Sequence, residues 1–144
     1  MKRTETLAPL SREHHTSLIL AQLLKKDAPA YKGLPDTIEG KVVYARLQFE
    51  KDIKTHFEKE ELMLDKAKDC NDVISRLTEE IKKEHRELAA LFHSLNAEMS
   101  QADQLDELGR KLEDHIRKEE RVLFPLLQQH CSAELLQQIH EVLH

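Results

Sequence analysis

The chain has 144 residues, with 22 Lys+Arg against 27 Asp+Glu, for a formal charge of −5. Three glycines, four prolines, 4% aromatic residues and no tryptophan cannot supply the turns and strands of a sandwich or barrel, so an all-β fold is excluded. A hydrophobic content of 40% is enough for a core at this length. The mildly acidic balance argues against a nucleic-acid partner. No apolar run approaches the ~18 residues of a membrane span, and the opening Met1-Lys2-Arg3 lacks the apolar stretch of a secretory signal. The expectation is a cytoplasmic protein with no membrane partner, whose two cysteines, Cys70 and Cys131, are free thiols. The unusual feature is nine histidines, since histidine is the commonest metal ligand and titrates near neutral pH.

The sequence predicts five helices in chain order. The first covers about residues 11–28, with Ser11 as its cap. A Pro/Gly loop follows, and a second helix runs over about 36–68, where Asp36 and Glu39 resemble a capping box. The third spans about 72–99 behind Asn71. The fourth spans about 103–129, with Pro125 expected to kink or end it near Phe124. Ser132 opens a short fifth helix over about 133–143. The expected architecture is all-α: an up-down-up-down four-helix bundle, core about 11–129, with a C-terminal appendage, all in one domain over 1–144. Cys70 and Cys131 then fall at the same end.

Each long helix carries an apolar stripe at helical spacing. In the second it reads Val42, Ala45, Phe49, Ile53, then His56 and Glu60, then Met63 and Ala67. In the third, Leu77 and Ile81 lead to His85, then Leu88, Phe92 and Leu95. In the fourth, Leu105, Leu108 and Leu112 lead to His115 and Glu119, then Val122 and Leu126. Positions i and i+4 leave the same helix face. A buried unpaired carboxylate costs several kcal/mol, so two inward His/Glu pairs and a further His call for a cation. In the first helix Glu13-His14-His15 offers one inward histidine. His15 is favoured over His14, because Leu18 and Ile19 follow it at +3 and +4. Counting residues to the helix ends puts His56, His85 and His115 within about 3 Å of one height.

Other histidines read more plainly. His130/Glu134 straddles the Ser132 break and is a chance spacing. His140-Glu141-Val142-Leu143-His144 matches the zinc-protease pattern but is expected to be coincidence, with no third ligand downstream. His93 reads as a satisfied or half-exposed side chain. The acidic runs Glu58–Glu61, Glu79-Glu80 and Glu119-Glu120 read mostly as solvated faces.

Four imidazoles and two carboxylates are too many for one tetrahedral zinc. Two bridging glutamates with two histidines per metal suit a pair of first-row ions, iron first and manganese or zinc behind. The Glu-x-x-His spacing of ferritin-like bundles is missing. In the segments Glu13-His14-His15-Thr16-Ser17-Leu18-Ile19, His56-Phe57-Glu58-Lys59-Glu60-Glu61, Glu84-His85-Arg86-Glu87-Leu88, and His115 to Pro125, the chain resembles the hemerythrin-like, or HHE cation-binding, family. The resemblance covers the four main helices. It implies a non-haem di-iron centre with His15, His56, Glu60, His85, His115 and Glu119 as ligands and the two glutamates as bridges.

Oxygen-carrying members have two histidines one turn apart on the third helix. Here Ile81 and Ala89 flank His85 at that spacing, so four histidines remain, which points away from reversible oxygen carriage. The chain is closer to four-His, two-Glu centres linked to nitric oxide or iron–sulfur repair. The expected function is binding of, or reaction with, O₂, NO or peroxide for sensing or protection, behind an apolar shell of Phe49, Ile53, Leu88 and Phe92. Alternatives are a metal storage or delivery module without redox turnover, and a metal-free helical interaction domain.

Overall fold

The computed structural model describes residues 3–143, and every regular element among them is helical. Met1, Lys2 and His144, on which two of the expectations above bear, lie outside the described residues. Helix α1 (Ala8–Leu24) begins earlier than expected, with Pro9 in its first turn, where a missing N–H costs nothing. Ser11 is therefore not a cap; its hydroxyl donates to Glu120 at 2.7 Å. The following loop turns at Gly33, whose φ of +82° is the one left-handed backbone position described and suits glycine.

Helices α2 (Ile38–Gln48) and α3 (Lys54–Ala67) are joined by a π turn over Phe49–Ile53 with helical dihedrals on both sides. The cap is Thr37, whose hydroxyl accepts from the Gly40 N–H at 3.0 Å, rather than Asp36. Thr37 holds the extended backbone an N-cap requires. A short 3₁₀ turn, Lys68–Cys70, leads to α4 (Asp72–Ser94). Asn71 caps α4 as expected, accepting from the Val73 N–H at 2.7 Å. This helix stops at Ser94 rather than near Met99. Leu95 is extended, and the Asn96 N–H donates to the Ser100 hydroxyl at 2.8 Å.

Helix α5 (Ala102–Lys118) passes through a second π turn, Glu119–Leu123, into α6 (Phe124–His130). Pro125 thus marks a change of winding, not an end. It sits in the first turn of α6, where the π turn has already shifted the hydrogen-bond ladder. Helix α7 (Ala133–Leu143) matches its expected bounds, with the Ser132 hydroxyl accepting from the Leu135 N–H at 3.1 Å.

Helix α1 packs along α5, α4 against both α3 and α5, and α7 against α3. Helices α1 and α5 approach closely at Gly109. A Cβ there would meet the Ala21 carbonyl at 2.7 Å and Leu24 Cβ at 3.1 Å. The apolar core falls into two blocks. One gathers Leu20, Ala21, Leu23 and Leu24 with Val42, Phe49, Phe57, Phe92, Leu105 and Leu112. The other gathers Leu10, Met63, Leu64, Ile74, Ile81, Phe124 and Ile139. Between them, in sequence along each rod, lie the buried His14, His56, Glu60, His85, His115 and Glu119. Among the described residues no helix is long and apolar enough to cross a membrane.

Candidate metal centre

Six buried polar side chains converge between the two apolar blocks. Ligand atoms of His14, His56, Glu60 and Glu119 lie within 4.8 Å of one another, and so do those of Glu60, His85, His115 and Glu119. Glu60 faces both groups. Its Oε2 lies 3.1 Å from His56 Nε2 and 3.4 Å from His14 Nε2, while its Oε1 lies 3.1 Å from His85 Nε2. Glu119 Oε1 lies 3.0 Å from His14 Nε2 and 3.4 Å from His115 Nε2.

The structure places His14, not His15, in this cluster. His14 is 2% exposed, whereas His15 is on the exposed face of α1. The buried positions of α1 are Leu10, His14, Ser17, Ala21 and Leu24, with Leu20 and Leu23 beside them. Leu18 and Ile19, which pointed to His15, lie off that stripe, and Ile19 is 41% exposed. The other five residues expected at the centre, His56, Glu60, His85, His115 and Glu119, are all brought together. His93 is 58% exposed beside Glu50 at 3.5 Å.

The sequence reading missed the glutamates behind the histidines. Each ring turns its Nδ1 to a carboxylate: His14 to Glu120 at 2.7 Å, His56 to Glu13 at 2.8 Å, His85 to Glu61 at 2.8 Å and His115 to Glu84 at 2.7 Å. With Nδ1 held by a carboxylate, a neutral ring directs its Nε2 lone pair toward the centre, an arrangement that fixes tautomer and ring direction at metal sites. Lys59 holds Glu13 at 3.0 Å and Lys118 holds Glu84 at 2.8 Å. Arg3 and Ser11 hold Glu120. A signal for these residues exists in the sequence: Glu13-His14 recurs as Glu84-His85, and His56-x-x-Lys-Glu-Glu61 recurs as His115-x-x-Lys-Glu-Glu120. Rings close the flanks, with Phe57 stacked on His85 at 4.0 Å and Phe124 on His14 at 5.6 Å.

The electrostatics are those of a cluster that binds positive charge. Burial opposes the charge on His14, but the adjacent Glu119 carboxylate, the hydrogen bond with Glu120 and the adjacent Glu60 carboxylate push its pKa up to about 12. For His56, burial is offset by the Glu60 charge and by Glu13, and the pKa rises to about 9. His115 is raised against burial by Glu119 and Glu84. Burial also opposes ionisation of Glu60, yet the His56 charge, with His14 close by and a hydrogen bond from His85, holds its carboxyl well below the ordinary value. Glu119 is pushed up, first by burial and then by the facing Glu60 charge. Glu13 is lowered to about 2, chiefly by its hydrogen bond with His56.

His14 Nε2, His56 Nε2, His115 Nε2, Glu60 Oε2 and both Glu119 oxygens are buried, and although several of them face one another as ion pairs, none makes a well-directed hydrogen bond. Buried polar atoms left in that state are costly. Imidazole nitrogens and carboxylate oxygens together are donors that first-row metals accept, so these residues fit a cation.

The sequence model of the hemerythrin HHE cation-binding domain matches residues 5–127, and again 76–144. The chain belongs to the hemerythrin HHE cation-binding domain family. The longer match spans every residue of the cluster, and the other begins in α4 and covers His85, His115 and Glu119. No curated protein and no solved structure matches the chain. The protein is thus a hemerythrin-like, cation-binding chain with buried His/Glu groups suited to metal.

Proposed function

We propose that the centre is a non-haem di-iron site that binds or reacts with O₂, NO or peroxide, in sensing or protection. His14, His56, Glu60 and Glu119 would hold one ion, and Glu60, His85, His115 and Glu119 the other. Iron stands ahead of manganese or zinc on the mixed nitrogen and carboxylate donors. The observation that carries this reading is the set of buried Nε2 and carboxylate atoms that face one another without making hydrogen bonds. The placement of Glu60, one oxygen toward each histidine pair, supports its role as a bridge.

Bound iron would supply the electrons and open coordination positions for a diatomic ligand. The chain's own part is positioning and exclusion. Glu120, Glu13, Glu61 and Glu84 hold the four rings through Nδ1. Phe49, Ile53, Leu88 and Phe92 are buried in the apolar block beside the cluster and give it an apolar wall on that side. A groove of about 260 Å³, lined by Ser17, Ile53, Thr55, His56 and Lys59, gives a small molecule an approach to His56.

The same proposal includes an up-down-up-down four-helix bundle forming one domain over 1–144, in a reducing, cytoplasmic setting. Its support is that successive rods meet the two apolar blocks in alternating order. Helix α1 goes from Leu10 to Leu24, the α2–α3 rod from Val42 back to Ala67, α4 from Ile74 to Phe92, and the α5–α6 rod from Leu105 back to Leu127.

The test is elemental analysis of protein purified without added metal, paired with absorption spectra of the reduced chain before and after O₂ or NO. About two irons per chain and a spectral change with either gas are expected. Iron absent, or a spectrum that neither gas alters, overturns the reading. Zinc or manganese in the same ratio keeps the ligand set and removes the oxygen chemistry.

A further inference from the structure

Cys70 and Cys131 lie outside the metal cluster and play no part in it. Cys70 ends the 3₁₀ turn after α3, and Cys131 occupies the break between α6 and α7. They are 61 residues apart in sequence, yet their sulfurs are 3.4 Å apart, with the Cys131 thiol directed at Cys70. Both are free thiols; Cys131 is buried and Cys70 half-buried. Cys131 belongs to the block containing Leu64, Ala67 and Ile139, and Cys70 packs against that block. Neither sits inside an α-helix, so their backbones adjust more readily than those of the rods.

We propose that Cys70 and Cys131 form an oxidisable dithiol, a modification site for a hydroperoxide that closes to an intramolecular disulfide. Cys70 is the half-exposed partner and meets the oxidant first. Its thiolate attacks a peroxide oxygen, the O–O bond breaks, and Cys70 becomes a sulfenic acid with release of hydroxide, or of an alkoxide from an organic peroxide. The Cys131 sulfur then attacks the Cys70 sulfur, and the hydroxyl leaves as water with the Cys131 proton. Two thiols and one hydrogen peroxide thereby give one disulfide and two waters. Burial, with the neighbouring Cys70, pushes the Cys131 thiol up to about 12, so Cys131 is not the thiolate that meets the oxidant first. The bond joins the end of α3 to the α6–α7 corner and so ties α7 to the rod that carries His56 and Glu60.

The experiment treats the full chain as purified with one equivalent of hydrogen peroxide and, in parallel, with diamide, which oxidises dithiols without involving a metal. Intact mass and peptide mapping under non-reducing conditions are the readouts. The expected result with both oxidants is a monomer lighter by two hydrogens, a Cys70–Cys131 linked peptide, and a higher denaturant midpoint that falls back on reduction. In C131S, dimedone should trap a sulfenic acid on Cys70. In C70S, Cys131 should stay unmodified under the same treatment, which keeps a test available if either variant folds poorly. An intermolecular dimer, Cys70 driven to sulfinic acid in the native chain, or both thiols still open to alkylation overturns the proposal. A bond formed by diamide but not by peroxide overturns the assignment to a hydroperoxide. The diamide outcomes do not depend on metal content, and the peroxide treatment repeated on chain stripped with chelator separates oxidation of the thiols from consumption of peroxide at the centre, so the proposal stands or falls apart from the di-iron reading.

Discussion

The helices before Asn71 and those after it contribute the same groups to the buried cluster: two histidines and one glutamate each. His14, His56 and Glu60 come from α1 and α3, and His85, His115 and Glu119 from α4 and the α5–α6 rod. Even the supporting pairs repeat, with His56–Glu13–Lys59 matched by His115–Glu84–Lys118. The surroundings do not repeat. The first π turn precedes His56, while the second starts on Glu119 itself. Ser17, three residues after His14, lines the groove beside His56, whereas its counterpart Leu88 puts an apolar side chain in the matching groove of about 220 Å³ beside His115. The repeated part is what a cation-binding layer requires. The unrepeated part is free to decide from which side a ligand arrives.

The largest effect should come from the groups that both halves share. E60A or E119A is expected to lose both ions, whereas H56A and H115A should each lose mainly one, leaving about half the metal. Metal-to-chain ratio by elemental analysis, with helicity checked by circular dichroism, decides this. Equal loss from all four variants would break the correspondence between half and ion. H14A should behave like H56A, and H15A like the parent chain.

Next comes the seam where the halves meet closely. G109A drives a methyl group against the Ala21 carbonyl, 2.7 Å from its Cβ. Overpacking of this kind costs about 1–3 kcal/mol, against about 1 kcal/mol regained in helix propensity. A lower urea midpoint is therefore expected, and an unchanged or higher one would mean that α1 slides freely on α5.

The pH dependence of the first half can be read on both limbs, in protein kept metal-free with chelator. Glu13 falls from 4.5 to about 2 on folding. Its contribution is therefore complete above pH 4.5 and lost as pH falls through about 2. His56 rises from 6.5 to about 9. Its contribution is complete below pH 6.5 and lost as pH rises through about 9. Urea midpoints against pH should thus flatten at both limbs in E13Q, since the two groups are partners. A curve for E13Q parallel to that of the parent chain would contradict the pairing.

The smallest effect separates the two lysines. Lys59 meets Glu13 at 3.0 Å with both side chains 38% exposed. Lys118 is 29% exposed and meets both Glu80 and Glu84 at 2.8 Å. Partly exposed pairs contribute about 0–1 kcal/mol. K118M is expected to cost more than K59M within that range, measured by denaturant midpoint at low salt.

The all-helical fold, the α7 bounds and five of the six inward residues were legible because apolar spacing at helical period is set by burial. His14 against His15 was not. One residue is 100° of helix, and Leu18 and Ile19 weighed on the wrong side once the Leu10–His14–Ser17–Ala21 stripe set the phase. The outer glutamates were hidden for a different reason. Glu61 and Glu120 sit in charge runs that look solvated, and only contact across helices assigns them to His85 and His14. Pro125 looked like a kink or an end because the local rule forbids it in a regular α-helix. The π turn before it is a backbone adjustment that residue types do not announce.

The two apolar blocks, separated by the polar layer, give the molecule a waist. Each block has large side chains from most of the rods, so each can hold its end closed by itself. The waist has no such reserve: its closure relies on opposite charges and on whatever cation sits among them. Loss of that cation should loosen the middle of the rods while the ends stay shut. Amide hydrogen exchange should therefore quicken around His56–Glu60 and His115–Glu119 well before it does at Phe92 or Leu64, making the chain's slow exchange pattern a direct gauge of occupancy.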